Sequence, residues 1–280
     1  MGIRIQPVTT IAECMTVEQL QQSIWSCHDT DVIPVHILIT IAKESGMVAL
    51  AYNEENQIIG FIIAFLALHH NKQPNHKRLK LVSHQVGVIP DEQNKQLGYQ
   101  IKLAQRDLAL ERGIELITWT FDPLQGRNAR LNLHKLGVIS RTYYRNLYGN
   151  MHDGFNTDLE TDRFRVEWWL DSDHVKQRLS QPTDQFPSNY TIINHTTKFV
   201  DGFLAPTPQV QDFTDQTCFI EFPADMNRLK TKAMSVAQQW QQQIRQLFET
   251  AFKAGYTVTD LLRHDDRNYY VLEKKVVLTR

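Results

Sequence analysis

The chain has 280 residues, more than an average single domain, so its length allows either one large domain or two smaller ones. Hydrophobic residues make up 42% of the chain, which is enough for a well-packed core. Charged residues make up 22% and the formal net charge is -1, so no overall charge exists to attract nucleic acid or an anionic membrane surface. Any anion site is therefore expected to be local, built from backbone N–H groups or a few side chains.

Cysteine content and apolar runs indicate the compartment. The three cysteines, Cys14, Cys27 and Cys218, are an odd number and no pair has metal-ligand spacing, which predicts free thiols in a reducing environment and no metal site. The first ten residues lack the apolar core of a signal peptide. The longest apolar run, residues 58–68, is shorter than the ~20 residues that span a bilayer. We therefore expect a cytoplasmic protein without a membrane partner.

Hydrophobic spacing predicts alternating strands and helices in the first 170 residues. The predicted elements are strand 4–8, helix 11–25, helix 32–43, hairpin strands 47–52 and 58–68, strand 79–90, a helix from 97 to 112, strand 114–121, helix 128–135, and strands 138–148 and 164–170. Residues 181–188 read as a linker. Beyond it we predict strand 190–194, a proline-rich loop at 205–208, strand 217–222, one long helix at 226–252, and strand 269–278.

The joint between the strand at 79–90 and the following helix is the most informative segment. Period two in the strand places His84, Val86 and Val88 on one predicted face and Ser83, Gln85 and Gly87 on the other. Leu97 opens a stripe of apolar residues at helical spacing. A helix N-terminus exposes unpaired N–H groups and the positive end of the helix dipole, which suits a diphosphate, although an ordinary capped helix start has the same pattern.

The sequence VGVIPDEQNKQLGYQIKLAQ at this joint resembles motif A of the GNAT superfamily of acyl-CoA N-acyltransferases, with Gln93 and Gly98 at two motif positions. The segments ELITWTF and NARLNLHKLG resemble the fifth strand and motif B of that family, and the resemblance covers residues 3–170. Two positions depart from it. Gln96 replaces a glycine that lets the diphosphate approach the backbone. Leu133 replaces a tyrosine that often protonates the departing CoA thiolate.

The resemblance implies an α/β (α+β) fold, with a central mixed, mostly antiparallel sheet flanked by helices. It implies a GNAT domain over residues 1–180. Residues 187–280 are expected to form an additional C-terminal α/β region, which reads as a degenerate second half-domain, a wall of the acceptor pocket or a dimer face.

The resemblance also implies acetyl-CoA as cosubstrate, with its pantetheine arm inserted between the fourth and fifth strands. The expected cofactor-binding residues are Val86, Val88, Gln93, Asn94, Lys95, Gln96, Leu97, Gly98, Tyr99 and Asn128. For Asn128 the alternative is an ordinary helix N-cap.

The implied reaction is direct attack of a primary amine, from a small molecule or a peptide, on the thioester, with no covalent enzyme intermediate. His84 is the expected general base, because an ordinary histidine pKa near 6.5 suits this role. The alternative for His84 is a core histidine hydrogen-bonded across the sheet. One of Tyr143, Tyr144 and Tyr148 is a candidate for the missing acid. Two other functions stay open: a catalytically weakened CoA-binding sensor or scaffold, and transfer of a longer acyl group. A homodimer through a sheet edge or the C-terminal helix is compatible with the sequence.

Overall fold

The computed structural model describes residues 3–25, 29–44, 46–70, 77–93, 96–149, 159–181, 183–186, 190–198 and 202–279. These residues fall into two compact units, 3–119 and 120–279. The division at 180–187 expected from the sequence lies inside the second unit, and it stays a prediction.

The first unit is a sheet covered by helices on both faces. Its strands are β1 (Arg4–Pro7), β2 (Met47–Tyr52), β3 (Ile58–His70), β4 (Lys77–Val88) and β5 (Leu116–Phe121, whose last two residues belong to the second unit), and its helices are α1 (Ile11–Trp25), α2 (Val35–Lys43) and α3 (Leu97–Glu111). The strands lie in the order of their numbers, with antiparallel neighbours up to β4 and a parallel pair of β4 and β5.

The two faces of the first sheet have separate cores. Phe61 and Ile63 of β3 pack with residues of α1 and α2. Gly60, which precedes Phe61 on β3, faces Ile101 of α3. A Cβ atom built on Gly60 would lie 3.1 Å from the end of the Ile101 side chain. Consecutive strand residues point to opposite faces, so α3 covers the face opposite α1 and α2.

The second unit is also a mixed sheet with helices. Its elements are α4 (Gly126–Ala129), which runs into a π-helical turn (Arg130–Lys135), β6 (Ile139–Tyr144), β7 (Arg163–Trp169), α5 (Asp173–Ser180), β8 (Thr191–Ile192), β9 (Asn194–Lys198), β10 (Leu204–Val210), β11 (Thr217–Pro223), α6 (Met226–Lys232), α7 (Met234–Lys253), β12 (Tyr256–His264) and β13 (Arg267–Lys274). The strand order is β7-β6-β12-β13-β11-β8, and β9 pairs with β10 separately.

An aromatic core holds the second unit together. The ring centroid of Phe164 lies 4.6 Å from that of Phe248 and 5.5 Å from that of Tyr270, both in edge-to-face geometry. Such pairs contribute about 0.5–1.5 kcal/mol each beyond the area they bury. Residues from before and after position 180 therefore share this core.

The two units confirm the predicted mixed α/β class, because the strand pairs in each are mostly antiparallel and each unit also contains helices. The elements after residue 187 confirm an α/β composition for the C-terminal region. Cys14 and Cys218 are buried and free, and Cys27 lies outside the described residues. In the part of the chain that the structure describes, no helix combines the length and apolar character needed to cross a membrane.

Two predicted elements are wrong in detail. The long helix predicted at 226–252 is interrupted at Ala233, whose φ of -150° and ψ of 64° leave the helical region and separate α6 from α7. The proline-rich loop predicted at 205–208 is part of strand β10. Its prolines are tolerated because β10 pairs only with β9 and its register is irregular between Pro206 and Val210.

Candidate functional site

Strands β4 and β5 form only a short parallel pair and then separate. Their parallel pairing is confined to Leu81 with Ile117 and Val82 with Thr118. From Ser83 to Val88, β4 continues along β3, but in the described residues its other edge has no strand partner. The result is an open edge of backbone groups on β4 where β5 separates from it, and we call the space along this edge the gap.

The backbone groups of Val86 and Val88 face this gap. The N–H of Ile89 donates to the carbonyl of Ile59 at 3.1 Å, which identifies that antiparallel pair as hydrogen-bonded. Hydrogen-bonded and non-hydrogen-bonded pairs alternate along an antiparallel ladder. Val88 opposite Gly60, and Val86 opposite Ile62, are therefore non-hydrogen-bonded pairs. Their N–H and C=O groups therefore point away from β3 and towards the gap, where an extended amide-bearing ligand can pair with them.

A β-bulge lies at His84. On β3, Ile63 and Ala64 are consecutive, but their partners on β4 are Gln85 and Ser83, so His84 is the extra residue. The bulge changes which face each side chain occupies.

The prediction that Ser83 and Gly87 share one face is wrong. The Ser83 hydroxyl bonds to α3, whereas a Cβ atom at Gly87 would meet the side chain of Ile24 on α1. The physical reason is that one inserted residue shifts the period of two by one position.

His84 itself is exposed, with its ring centroid 6.0 Å from that of Phe65. It makes no hydrogen bond or ion pair to any described residue, so it is not the cross-sheet core histidine considered as its alternative. Partial withdrawal of water by its surroundings lowers the pKa of its imidazole below the ordinary value. At neutral pH the ring is therefore mainly uncharged and able to accept a proton.

Helix α3 begins without a side-chain cap. The preceding residue, Gln96, has a φ of 61° and a ψ of 12°, the left-handed conformation that glycine adopts without strain. A glycine would therefore fit this position with less strain than Gln96 does. The N–H groups of Leu97 and Gly98 have no acceptor in the described part of the chain, so the positive end of α3 is open.

The remaining predicted residues of this joint are placed as follows. Gln93 closes the turn, because its side-chain amide donates to the carbonyl of Val88 at 3.3 Å. Tyr99 is half-buried, and burial raises the pKa of its phenol. Asn94 and Lys95 lie outside the described residues.

A buried lysine next to the gap was missed by the sequence analysis. The ammonium group of Lys102 on α3 donates to Ser83 Oγ at 2.8 Å and to Gln105 Oε1 at 3.0 Å, and it lies 3.8 Å from the ring centroid of Trp119. Burial lowers the pKa of Lys102 to about 7. The available signal was its position beside Ile101, on the apolar side of the helix.

Two predicted positions lie in the second unit. Asn128 is exposed and sits inside α4, whose N-cap is Gln125, so the alternative that Asn128 caps the helix is wrong. Leu133 is fully buried in the π-helical turn that follows, where it packs as a core residue. No described group in either unit brings three or more histidine, cysteine or acidic side chains together as metal ligands.

The candidate tyrosine acids differ in their surroundings. The hydroxyl of Tyr143 donates to Asp162 Oδ2 at 2.7 Å, and burial together with this carboxylate raises its pKa well above the ordinary value. Tyr143 is therefore a poor proton donor. The hydroxyl of Tyr148 lies 2.7 Å from Thr120 Oγ1 at the end of β5, and Tyr144 is exposed. Of the three, Tyr148 is the most exposed, and its hydroxyl is hydrogen-bonded.

No protein-family model matches this chain, and no curated protein matches it. Solved structures to which it is similar include the ribosomal-protein-S18-alanine N-acetyltransferase of Escherichia coli, with 16% identity, coverage of 59% of this chain and 92% of that one, and a TM-score of 0.44. NAA60 of Arabidopsis thaliana in complex with acetyl-CoA has 10% identity, coverage of 60% and 99%, and a TM-score of 0.47. An acetyltransferase of the GNAT family from Streptococcus pneumoniae has 11% identity, coverage of 59% and 98%, and a TM-score of 0.45. The last of these is named for the family that the joint of β4 and α3 resembles.

Proposed function

We propose that this chain is a cytoplasmic N-acetyltransferase, which moves an acetyl group from acetyl-CoA to a primary amine of a small molecule or peptide. The observation that carries the proposal is the gap between β4 and β5, with the edge groups of Val86 and Val88 facing it and the open start of α3 beyond. An extended chain of amides fits the edge, and a diphosphate fits a helix start with unpaired N–H groups.

In this proposal the thioester chain follows β4. Its two amides pair with the backbone of Val86 and Val88, and its diphosphate accepts hydrogen bonds from N–H groups of residues 94–99. The N–H of Val88 polarises the thioester carbonyl and stabilises the oxyanion that forms during attack. Gln93 supports this arrangement by fixing the turn. The expected contact of Asn128 with the distal CoA arm stays a prediction.

The chemical step is direct transfer. The amine nitrogen attacks the thioester carbon, the C–N bond forms, and the C–S bond breaks with its electron pair going to sulfur. His84 removes the proton that the amine nitrogen loses, which its uncharged imidazole can accept. Solvent protonates the thiolate, because Leu133 holds the usual tyrosine position and offers no proton.

A CoA-binding sensor or scaffold is the second candidate function. Two observations favour it: the strained Gln96 at the diphosphate turn and the buried Leu133. A sensor binds the cosubstrate through the same gap, but it releases no free thiol when amines are added.

Binding and turnover are tested separately. Acetyl-CoA at 100 times its dissociation constant is expected to stabilise the full chain by about 2.7 kcal/mol, visible as a raised melting temperature. Millimolar acetyl-CoA without any shift would remove the cofactor assignment.

Turnover is measured as free thiol released in the presence of amino acids, polyamines, aminoglycosides and peptides. His84→Gln is expected to lower the rate by about 10²–10⁴ and to flatten the limb that rises with pH. His36→Gln, which changes an exposed histidine outside the gap, serves as the control. Binding of acetyl-CoA with no release by any amine favours the sensor.

A further inference from the structure

A polar cleft of ≈ 560 Å³ opens in the second unit, among residues of β8, β9, β11 and β13. Its size is typical of a small-molecule site. The residues that give it chemical character are Tyr190, Asn194, His195, Glu221, Arg267 and Tyr269. All of them come from the second unit, and none belongs to the gap between β4 and β5.

The floor of this cleft carries a buried carboxylate with spare capacity. Glu221 is only 3% exposed, and its Oε2 accepts a hydrogen bond from Arg267 Nη1 at 2.8 Å. Within the described residues its side chain has no other hydrogen-bond partner, so Oε1 is left as an acceptor. A carboxylate can accept about four hydrogen bonds, and this one uses a single one.

Arg267 provides the opposite charge beside it. Its side chain is 30% exposed and reaches the cleft, while its guanidinium has five N–H donors. One nitrogen bonds Glu221, and Nε lies 3.7 Å from Asp266 Oδ1. The remaining donors form a fork of the kind that binds a carboxylate. Glu221 and Arg267 pair with each other, and each keeps further hydrogen-bonding capacity, so the cleft presents an anionic acceptor and a cationic donor side by side.

The two charges are held in place before any ligand arrives. Asn194 is fully buried, and its side-chain amide donates to the carbonyl of Glu221 and accepts from its N–H, both at 2.9 Å. Tyr190, 42% exposed at the cleft, packs against Phe219 with ring centroids 4.6 Å apart. Fixed charges and fixed rings reduce the ordering cost that binding would otherwise incur.

We propose that this cleft binds a free α-amino acid with an aromatic side chain. The ammonium group donates to Glu221 Oε1, the carboxylate accepts from Arg267, and the side chain packs against Tyr190 and Tyr269. A zwitterion satisfies both charges at once, whereas a simple amine or a simple acid satisfies one. This site is additional to the proposed transfer reaction and does not depend on it.

Calorimetry on the full chain with three matched probes tests the proposal. L-phenylalanine has both charged groups, phenethylamine lacks the carboxylate, and 3-phenylpropionate lacks the ammonium. We expect L-phenylalanine to bind and each analogue to bind about tenfold more weakly or worse, since each analogue leaves one charged group of the cleft without its partner on the ligand. Equal binding of all three, or of a neutral sugar, would overturn the amino-acid assignment, as would no heat with any of the twenty amino acids.

Variants locate the site. Glu221→Gln keeps the size of the side chain and is expected to weaken L-phenylalanine at least about tenfold. Glu249→Gln is the matched control, because it disrupts another glutamate–arginine pair of the same unit, with Arg145, away from the cleft. Tyr190→Ala removes an exposed ring, so it tests the site even if Glu221→Gln does not fold. Unchanged affinity in Glu221→Gln or Tyr190→Ala contradicts the proposal. Coenzyme A titrated into the same samples reports separately on the gap.

Discussion

Two of the joints where a strand leads into a helix treat the helix start in opposite ways. At the joint of β11 and α6, Asp225 places its carboxylate on the helix start and accepts a hydrogen bond from the N–H of Arg228 at 2.9 Å. At the joint of β4 and α3, Gln96 supplies no cap and adopts a left-handed conformation. A carboxylate that occupies a helix start also repels other anions from it. Of these two joints, only that of β4 and α3 is therefore available to a diphosphate.

The two units also differ in the partners that they give to a buried charged side chain. Lys102 in the first unit has hydroxyl, amide and aromatic neighbours, and no described carboxylate forms an ion pair with it. In the second unit, buried Asp162 accepts hydrogen bonds from Tyr143 and from the guanidinium of Arg245, both partners at 2.7–2.8 Å. The charge of Asp162 is therefore compensated by an opposite charge, whereas Lys102 is held, among the described residues, by neutral groups alone.

The largest expected effect comes from cutting the chain after residue 180. The cut removes Phe248 and Tyr270, which pack against Phe164 in the core of the second unit. Loss of a single such ring from a core costs about 3–5 kcal/mol, so the shortened chain is expected to be insoluble or unfolded. Soluble fraction and circular dichroism measure this. A folded, CoA-binding piece of residues 1–180 would instead support the domain boundary expected from the sequence.

Lys102→Met tests the uncompensated charge of the first unit. The folded pKa of Lys102 is about 7, below its ordinary value of 10.5, so between these values the unfolded chain binds a proton that the folded chain does not. The free energy of unfolding of the wild type should therefore rise with pH in this window, by up to ~1.4 kcal/mol per pH unit from this group.

Urea unfolding at pH 7.5 and 9.0 provides the measurement. Lys102→Met is expected to lose this rise, while Lys253→Met, which changes an exposed lysine of α7, is expected to retain it. If the free energy of unfolding depends on pH in the same way in Lys102→Met and in the wild type, the pKa of Lys102 is not lowered by burial as stated above.

Gly98→Val tests the open helix start directly. A β-branched side chain at the second residue of α3 crowds any diphosphate bound there, and we expect affinity for coenzyme A to fall by about tenfold or more, equivalent to ~1.4 kcal/mol. Asn227→Val, at the same position of α6, is the matched control and should leave the affinity unchanged. Fluorescence or calorimetric titration distinguishes them, and equal losses in both variants would remove the contrast between the two joints.

The smallest effects come from changing the residue that precedes each of the two helices, Gln96 before α3 and Asp225 before α6. Gln96→Gly relieves a left-handed glutamine and should stabilise the chain by about 1 kcal/mol, without loss of coenzyme A affinity. Asp225→Ala removes a cap and should destabilise the chain by about 1 kcal/mol. Thermal unfolding measures both. A stabilising effect of Asp225→Ala, or a destabilising effect of Gln96→Gly, would reverse the reasoning about these helix starts.

Local patterns were enough to predict the joint of β4 and α3. The change from period two to helical spacing marks where the strand ends and the helix begins, and α3 starts at Leu97 as predicted. Alternating and helical spacing also predicted the mixed α/β class, because each element carries its pattern in its own residues. In the C-terminal region the same patterns found β11 and the strand near the C-terminus, but they missed β10 and the break between α6 and α7.

What the sequence could not reveal depends on neighbours in space. The bulge at His84 arises from pairing with β3, and a single strand carries no mark of it. The left-handed turn at Gln96 was hidden because glutamine rarely adopts it. Lys102 resembles an ordinary helical lysine until Trp119 and Ser83 are placed around it. The cleft around Glu221 brings together residues 190–196, Glu221 and residues 267–269, which lie in separate parts of the sequence.

The extra residue at position 84 shifts the alternation of side chains between the two faces of the sheet by one position. Upstream of it, β4 presents Ser83 towards α3; downstream, Gly87 lies where α1 and Phe61 leave no room for a Cβ atom. Deleting His84 would join Ser83 directly to Gln85, and these two lie opposite the consecutive residues Ala64 and Ile63, so residues 85–88 would keep their present faces. A period of two counted straight through position 84, by contrast, assigns those residues to the wrong helices. The strand therefore tolerates the loss of a residue at this one point, whereas a deletion between residues 85 and 88 would turn over the residues on one side of it.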